Sequence, residues 1–240
     1  MKITKYIPDT VTSLNIACGV TGIVMAFHNR VDLAFALMLA ASVFDFLDGL
    51  CARALHAYSD MGKELDSLCD VVSFGVLPSV MLYNVCRMCV WSESWVCYVP
   101  LAISVFSALR LANFNVDDRQ KHSFLGLPTP AAAILCGALC YYVAAQPSSI
   151  IAQWCSNSWF IPVLSVMICA LLVCELPMFS FKFSKEDTRA LKSKRLTFGV
   201  ASAICAGYVA ISGQHWSLFF VLTICVYILL NICFGLFTKE

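Results

Sequence analysis

Charge is what this sequence lacks most. Only 13% of its 240 residues are Asp, Glu, Lys or Arg, against about 25% in soluble globular chains. Hydrophobic residues supply 60%, and mean hydropathy is +0.79. A soluble globule is thereby excluded, and no nucleic-acid partner is expected. Histidine is scarce as well. His28, His56, His122 and His215 share no metal-ligand spacing and read as interface residues. The 14 cysteines lack the paired loop spacing of a disulfide or zinc framework. Cys86 and Cys89 form a lone CxxC with no second pair, so the thiols read as small buried hydrophobes. Internal repeats, low-complexity segments and a cleavable signal peptide are not evident.

What is there is a series of long apolar runs. Eight are expected to be transmembrane helices, at about 11–27, 32–55, 66–90, 95–116, 127–146, 159–177, 197–213 and 215–237. The fold class is all-α, a polytopic helix bundle forming one integral-membrane domain over 1–240. Its catalytic core would cover about 7–182, followed by a C-terminal helical hairpin at about 197–237. Eight spans put both termini on one side. Of the 16 Lys and Arg, only Arg30 and Arg87 then fall on the other side, and the loop from Gln146 to Ser158 carries no charge. The positive-inside rule places both termini in the cytoplasm. Trp91, Trp95, Trp154, Trp159 and Trp216 form an aromatic belt near the outer boundary. The basic run from Lys182 to Arg195 reads as a contact for anionic membrane lipids.

Four aspartates stand out against this background. Asp45 and Asp48 are three residues apart near the end of span two, and Asp66 and Asp70 four apart at the start of span three. Either spacing puts a pair on one helix face. Antiparallel neighbours with a loop of about ten residues would bring the pairs face to face at the cytoplasmic interface. Carboxylates at membrane depth are expensive and functional by default. Four converging carboxylates make an oxygen-ligand site for Mg²⁺ or Mn²⁺, one ion or two, whose coordination a substrate phosphate would complete. Gly49 and Ala52 leave room beside the aspartates, Arg53 can pair with phosphate oxygens, and Gly62 frees the turn before span three. Helix-end capping can explain Asp66 but not Asp45 and Asp48, which lie inside an apolar span.

Read together, Asp45, Asp48-Gly49, Ala52-Arg53, Gly62, Asp66 and Asp70 resemble the signature DxxDGxxAR(x)8GxxxDxxxD of the CDP-alcohol phosphatidyltransferases. All fixed positions are present at the right spacing. Further segments are similar to the serine-accepting branch of that family: IPDTVTSLNIACG at the start, then LDSLCDVVSFGVLPS, ALRLANFNV, GLPTPAAA and LPMFSFK. The resemblance covers most of residues 7–182. Two positions depart from it, Asp9 and Asn113, where the family pattern has Asn and Arg.

The resemblance implies a phosphatidyl transfer from CDP-diacylglycerol to the hydroxyl of L-serine, releasing CMP, by a homodimeric enzyme of the bacterial cytoplasmic membrane. By the same carry-over, Asp45, Asp48, Asp66 and Asp70 would bind metal and Asp70 would be the general base. Gly49, Ala52 and Gly62 would shape the cytidine pocket, with Arg53 near the phosphates and Thr12 and Asn15 approaching the nucleotide. The serine carboxylate needs a cation. Arg110 is the first candidate, ahead of Arg119 and Lys121, with Asn113 and Asn115 as polar partners. Pro128 and Pro130 set the start of span five, and Thr129 between them is a weaker substrate contact.

Other readings compete. Glycerol 3-phosphate or inositol phosphate as acceptor would ask for a more basic pocket. A prenyltransferase also uses aspartate pairs and Mg²⁺, but the DGxxAR core argues against it. A cation-coupled transporter would be expected to show inverted repeats and broken midplane helices, neither of which is visible.

Overall fold

The computed structural model describes residues 6–89, 95–116, 124–179 and 189–237. Helix α1 spans Ile7–Phe27, with Pro8 in its first turn, where a missing N–H costs nothing, and Asp9 beside the positive end of the helix dipole. It stops at Asn29, whose φ of 58° ends the helical run. Helix α2 (Val31–Ala54) returns antiparallel along α1 and ends with Arg53 in its last turn. The connection to α3 (Asp60–Asp70) is five residues, 55–59, half the expected length. Ser59 caps α3, its Oγ accepting the Gly62 N–H at 2.9 Å. The third apolar helix therefore begins six residues before the expected 66, with a polar first turn.

From α3 the chain runs without a break into a π-helical segment, Val71–Val76, and then α4 (Leu77–Cys89). A 3₁₀ segment, Trp95–Leu101, leads into α5 (Ala102–Val116). Helices α6 (Thr129–Ala145), the six-residue α7 (Ile150–Cys155) and α8 (Phe160–Val173) follow, then α9 (Arg189–Ser212) and α10 (Ser217–Phe237), joined by a turn at Gly213. Two-residue strands, β1 (Phe124–Leu125) and β2 (Pro177–Met178), pair antiparallel with Phe124 opposite Met178.

Among the described residues, six helices are long and apolar enough to cross a membrane: Ile7–Phe27, Val31–Ala54, Asp60–Met88, Trp95–Val116, Leu191–Ser212 and Ser217–Phe234. Where spans of about 127–146 and 159–177 were expected, the apolar helices have 17 and 14 residues. At 1.5 Å per residue they reach only about 26 and 21 Å. Against the expected eight, the described residues hold six helices of spanning length and two shorter apolar ones. The chain is an integral membrane protein of all-α architecture.

Close helix approaches position the site. A Cβ on Gly19 would collide with Ser73 Oγ and lie 3.0 Å from Ser73 Cα, so only glycine lets α1 meet the π segment here. On the other side of that segment Gly75 abuts Ser104 and Ser107 of α5. Away from the aspartates, Phe35 of α2 packs against Tyr141, Trp216 and Phe220, joining α6 and α10 to the bundle. Cys69, Cys136 and Cys169 are buried free thiols. Cys86 and Cys97 approach to 3.5 Å between sulfurs, a thiol contact rather than a bond. Trp95, Trp154, Trp159 and Trp216 are exposed, and Trp91 lies outside the described residues.

Candidate functional site

The four aspartates come together where α1, α2 and α3 meet. One carboxylate oxygen from each of Asp45, Asp48 and Asp66 lies within 4.8 Å of the others. Asp70, one turn beyond Asp66, does not join the trio at that separation but lies within electrostatic reach of all three. Helix α1 orients two of the four. Thr12 Oγ1 donates to Asp48 Oδ2 at 2.6 Å, and Asn15 Nδ2 donates to Asp70 Oδ1 at 3.2 Å. Ser73 Oγ in turn donates to the Asn15 carbonyl at 3.1 Å, so the π segment pins the residue that holds Asp70. π-Helical insertions often mark such sites.

No described lysine or arginine forms an ion pair with any of these carboxylates. At 4.8 Å and an effective dielectric of 20, each pair of ionised groups would repel by about 3.5 kcal/mol. Asp66 Oδ1 is buried and has no hydrogen-bond partner. A cluster of hard oxygen donors, one orphaned and none ion-paired to a described lysine or arginine, fits a divalent cation such as Mg²⁺ or Mn²⁺.

A cleft of about 200 Å³ opens beside the trio. Its walls include the expected Thr12, Asp48, Gly49, Ala52, Gly62 and Asp66. Pro8, Asp9, Ala57, Tyr58, Ser59 and Lys63 complete it, and sequence reasoning had not assigned these to the pocket. Serine's preference for helix N-caps was the readable cue to Ser59 at the start of α3. Gly62 is needed for space, since a Cβ would sit 2.9 Å from Ser59 Oγ and 3.0 Å from Asp9 Oδ1. Arg53 does not line the cleft. It is exposed, and its guanidinium lies 3.6 Å from the Cβ position of Gly49 at the rim.

Arg110 is not a snorkelling arginine. It is 7% exposed, and its Nη1 donates to Thr129 Oγ1 at 2.8 Å. Its Nε is buried without a partner, as is Ser107 Oγ one turn earlier on α5. The Asp70 carboxylate lies within its electrostatic reach. Asn115 ties α5 to α3, donating from Nδ2 to Ser67 Oγ at 2.8 Å, while its carbonyl accepts from Lys63 Nζ at 3.3 Å. Asn113 is exposed; Arg119 and Lys121 lie outside the described residues.

The family model of the CDP-alcohol phosphatidyltransferases matches residues 5–171. The chain belongs to that family. Among its relatives, the CDP-diacylglycerol–serine O-phosphatidyltransferase of Mycobacterium tuberculosis is 37% identical over 182 residues, covering 72% of this chain and 61% of the relative. The enzyme of the same name from Bacillus subtilis is 36% identical over 130 residues, covering 54% and 72%. That of Methanocaldococcus jannaschii is 31% identical over 222 residues, covering 92% and 91%. The chain thus spans under two thirds of the mycobacterial relative's length and nearly all of the methanogen's. The family match covers all four aspartates, the cleft and Arg110, and ends before α9 and α10.

Proposed function

We propose that this protein transfers the phosphatidyl group of CDP-diacylglycerol to the hydroxyl of L-serine, giving phosphatidylserine and CMP. The observation that carries the reading is the Asp45–Asp48–Asp66 trio beside the cleft, with Asp70 next to it and Arg110 within its reach. The names of the relatives at 31–37% identity favour serine as acceptor.

In this reading the cleft takes the cytidine, with Gly49, Ala52 and Gly62 giving it space, Thr12 on its α1 wall and Arg53 at its rim near the phosphates, while Asn15, expected to approach the nucleotide, is fully buried against Asp70 and does not line the cleft. Mg²⁺ or Mn²⁺ held by Asp45, Asp48, Asp66 and Asp70, as one ion or two, supplies charge neutralisation on the diphosphate. A serine hydroxyl is a weak nucleophile at neutral pH and needs a base within hydrogen-bond reach. Asp70 fills that role, with Asn15 fixing its carboxylate. The serine oxygen bonds to the phosphorus that carries the diacylglycerol oxygen, its proton passes to Asp70, and the bond to CMP breaks. Arg110 takes the serine carboxylate through its unpartnered Nε edge, with Ser107 alongside. Most of the rate enhancement is then positioning and electrostatics.

The 1–240 chain is read as one membrane domain of eight crossings, homodimeric, in the bacterial cytoplasmic membrane. The aspartates and both termini face the cytoplasm, where serine and CMP are soluble while the acyl tails stay in lipid. Accessibility labelling of single cysteines in intact cells and mass measurement in mild detergent test topology and assembly. The reaction is tested by offering purified protein CDP-diacylglycerol with serine, glycerol 3-phosphate, inositol or inositol phosphate in separate reactions. Phosphatidylserine in the serine reaction alone is the expected product. A phosphatidyl product with another alcohol would keep the aspartate site and overturn the serine pocket.

A further inference from the structure

Residues of the last helix reach the acceptor side of the site, although α10 lies beyond the family match. Asn231 is 3% exposed in α10. Its Nδ2 donates to the Tyr227 carbonyl at 2.8 Å, and its Oδ1 accepts the Phe179 N–H at 2.9 Å. The two bonds call for opposite ends of the amide, so its orientation is fixed. Tyr227 is 5% exposed, and its hydroxyl donates to the Phe179 carbonyl at 3.0 Å. Both backbone groups of Phe179 are therefore held by α10. The rings of Phe179 and Tyr227 meet edge to face at 5.0 Å, and Phe198 of α9 closes the cluster.

Phe179 directly follows β2, whose partner β1 leads into α6. The connection is tight. Gly126 N–H donates to the Leu176 carbonyl at 2.9 Å, and Leu127 N–H to the Leu171 carbonyl at 2.8 Å. Gly126 has φ +73°, and a Cβ there would meet three carbonyl oxygens at 2.8–3.0 Å. Thr129, three residues on, is fully buried and accepts from Arg110 Nη1. One continuous set of bonds therefore runs from α10 to the buried guanidinium.

We propose that Tyr227 and Asn231 are positioning residues for the acceptor pocket. By gripping Phe179 they hold the 124–129 loop, and through Thr129 they aim Arg110 at a small anionic acceptor. This rests on the reading of Arg110 as the acceptor's cation. It gives the C-terminal helix a part in acceptor binding and none in holding the nucleotide.

The test uses the full-length protein in detergent with Tyr227→Phe, which removes the hydroxyl that donates to the Phe179 carbonyl, and Asn231→Leu, which removes both amide bonds. The serine KM should rise about fivefold in the first and tenfold or more in the second, as expected for lost buried hydrogen bonds. The CDP-diacylglycerol KM should stay within about twofold in both, because a clamp acting only on Arg110 leaves nucleotide binding intact. On an Arg110→Lys background the second substitution should add little, since both act through one group. Equal rises in both KM values, or effects that multiply with Arg110→Lys, would overturn the proposal in favour of general loosening. Amide hydrogen exchange over residues 124–129 is measured alongside and needs no acceptor. Faster exchange in Asn231→Leu than in wild type is expected, and unchanged exchange would overturn the relay. If wild type used a different acceptor, its KM would replace serine's; the serine reading would fall while the relay was still judged.

Discussion

Thr12→Val is the most informative single change at the aspartate cluster. Valine keeps the branched shape of threonine and loses only the hydroxyl, which donates to Asp48 Oδ2 at 2.6 Å. Thr12 is 3% exposed and Asp48 6%, so water does not readily replace the bond. A hydrogen bond to a charged group contributes about 1.5–3 kcal/mol, or about 10- to 150-fold in an equilibrium constant. Loss of an outer partner of a metal-binding carboxylate costs about 10- to 100-fold in metal affinity. The two estimates agree on roughly one to two orders of magnitude. The assay is a Mn²⁺ titration of the purified protein, read as CMP release and as metal-induced thermal stabilisation. Half-saturation should move up by about 10- to 100-fold, with the saturated rate much less affected and Thr12→Ser close to wild type. An unchanged midpoint for Thr12→Val would refute the idea that α1 orients Asp48 for metal.

Asp70→Asn should abolish turnover while largely sparing nucleotide binding, measured by CMP or CDP-diacylglycerol titration; near-normal turnover would remove Asp70 as base. Gly19→Ala forces Ser73 away from α1, so a loss of about 1–3 kcal/mol is expected, seen as a lower melting temperature. Its activity should fall further than stability explains, because Ser73 anchors Asn15. Arg110→Leu should raise the serine KM with little change for CDP-diacylglycerol, and equal change in both would move Arg110 out of the acceptor pocket. Burial pushes the His215 imidazole, in the turn between α9 and α10, below its ordinary value. The folded state therefore binds fewer protons, so this contribution is present above pH about 6.5 and is lost as pH falls below it. His215→Gln should flatten the melting temperature between pH 7 and 5.

The aspartate site was legible because its spacing is local: three- and four-residue separations on helices fix a face whatever the rest of the chain does. Asp45 and Asp48 share a face and meet Asp66, while Asp70, the fourth carboxylate of the expected set, stays outside the trio. The support from α1 was less visible. Thr12 and Asn15 were associated with the nucleotide, and their bonds to Asp48 and Asp70 depend on how closely two helices pack. That distance is set by Gly19 against Ser73, a contact between residues 54 positions apart in the chain. The π segment was hidden for the same reason, since Val71–Val76 carries no local signal against an α-helix. Hydropathy also misjudged lengths. The polar turn from Asp60 belongs to the third helix. The apolar residues after Val173 instead leave the helix to pair with the loop before α6. Pro128, at the N-cap of α6, was readable as its start. That Thr129 beside it would hold Arg110 was not, because the pairing rests on tertiary contact alone.

The metal dependence of phosphatidyl transfer to serine, with these carboxylates as ligands, is the reading on which the rest depends. It is tested most directly by CMP release from CDP-diacylglycerol in purified protein, with serine and Mn²⁺ or Mg²⁺ each present or omitted. Release is expected only when both are present, and should be lost in Asp45→Asn and Asp48→Asn despite normal melting behaviour. Release that survives chelation, or that survives both substitutions, would contradict it.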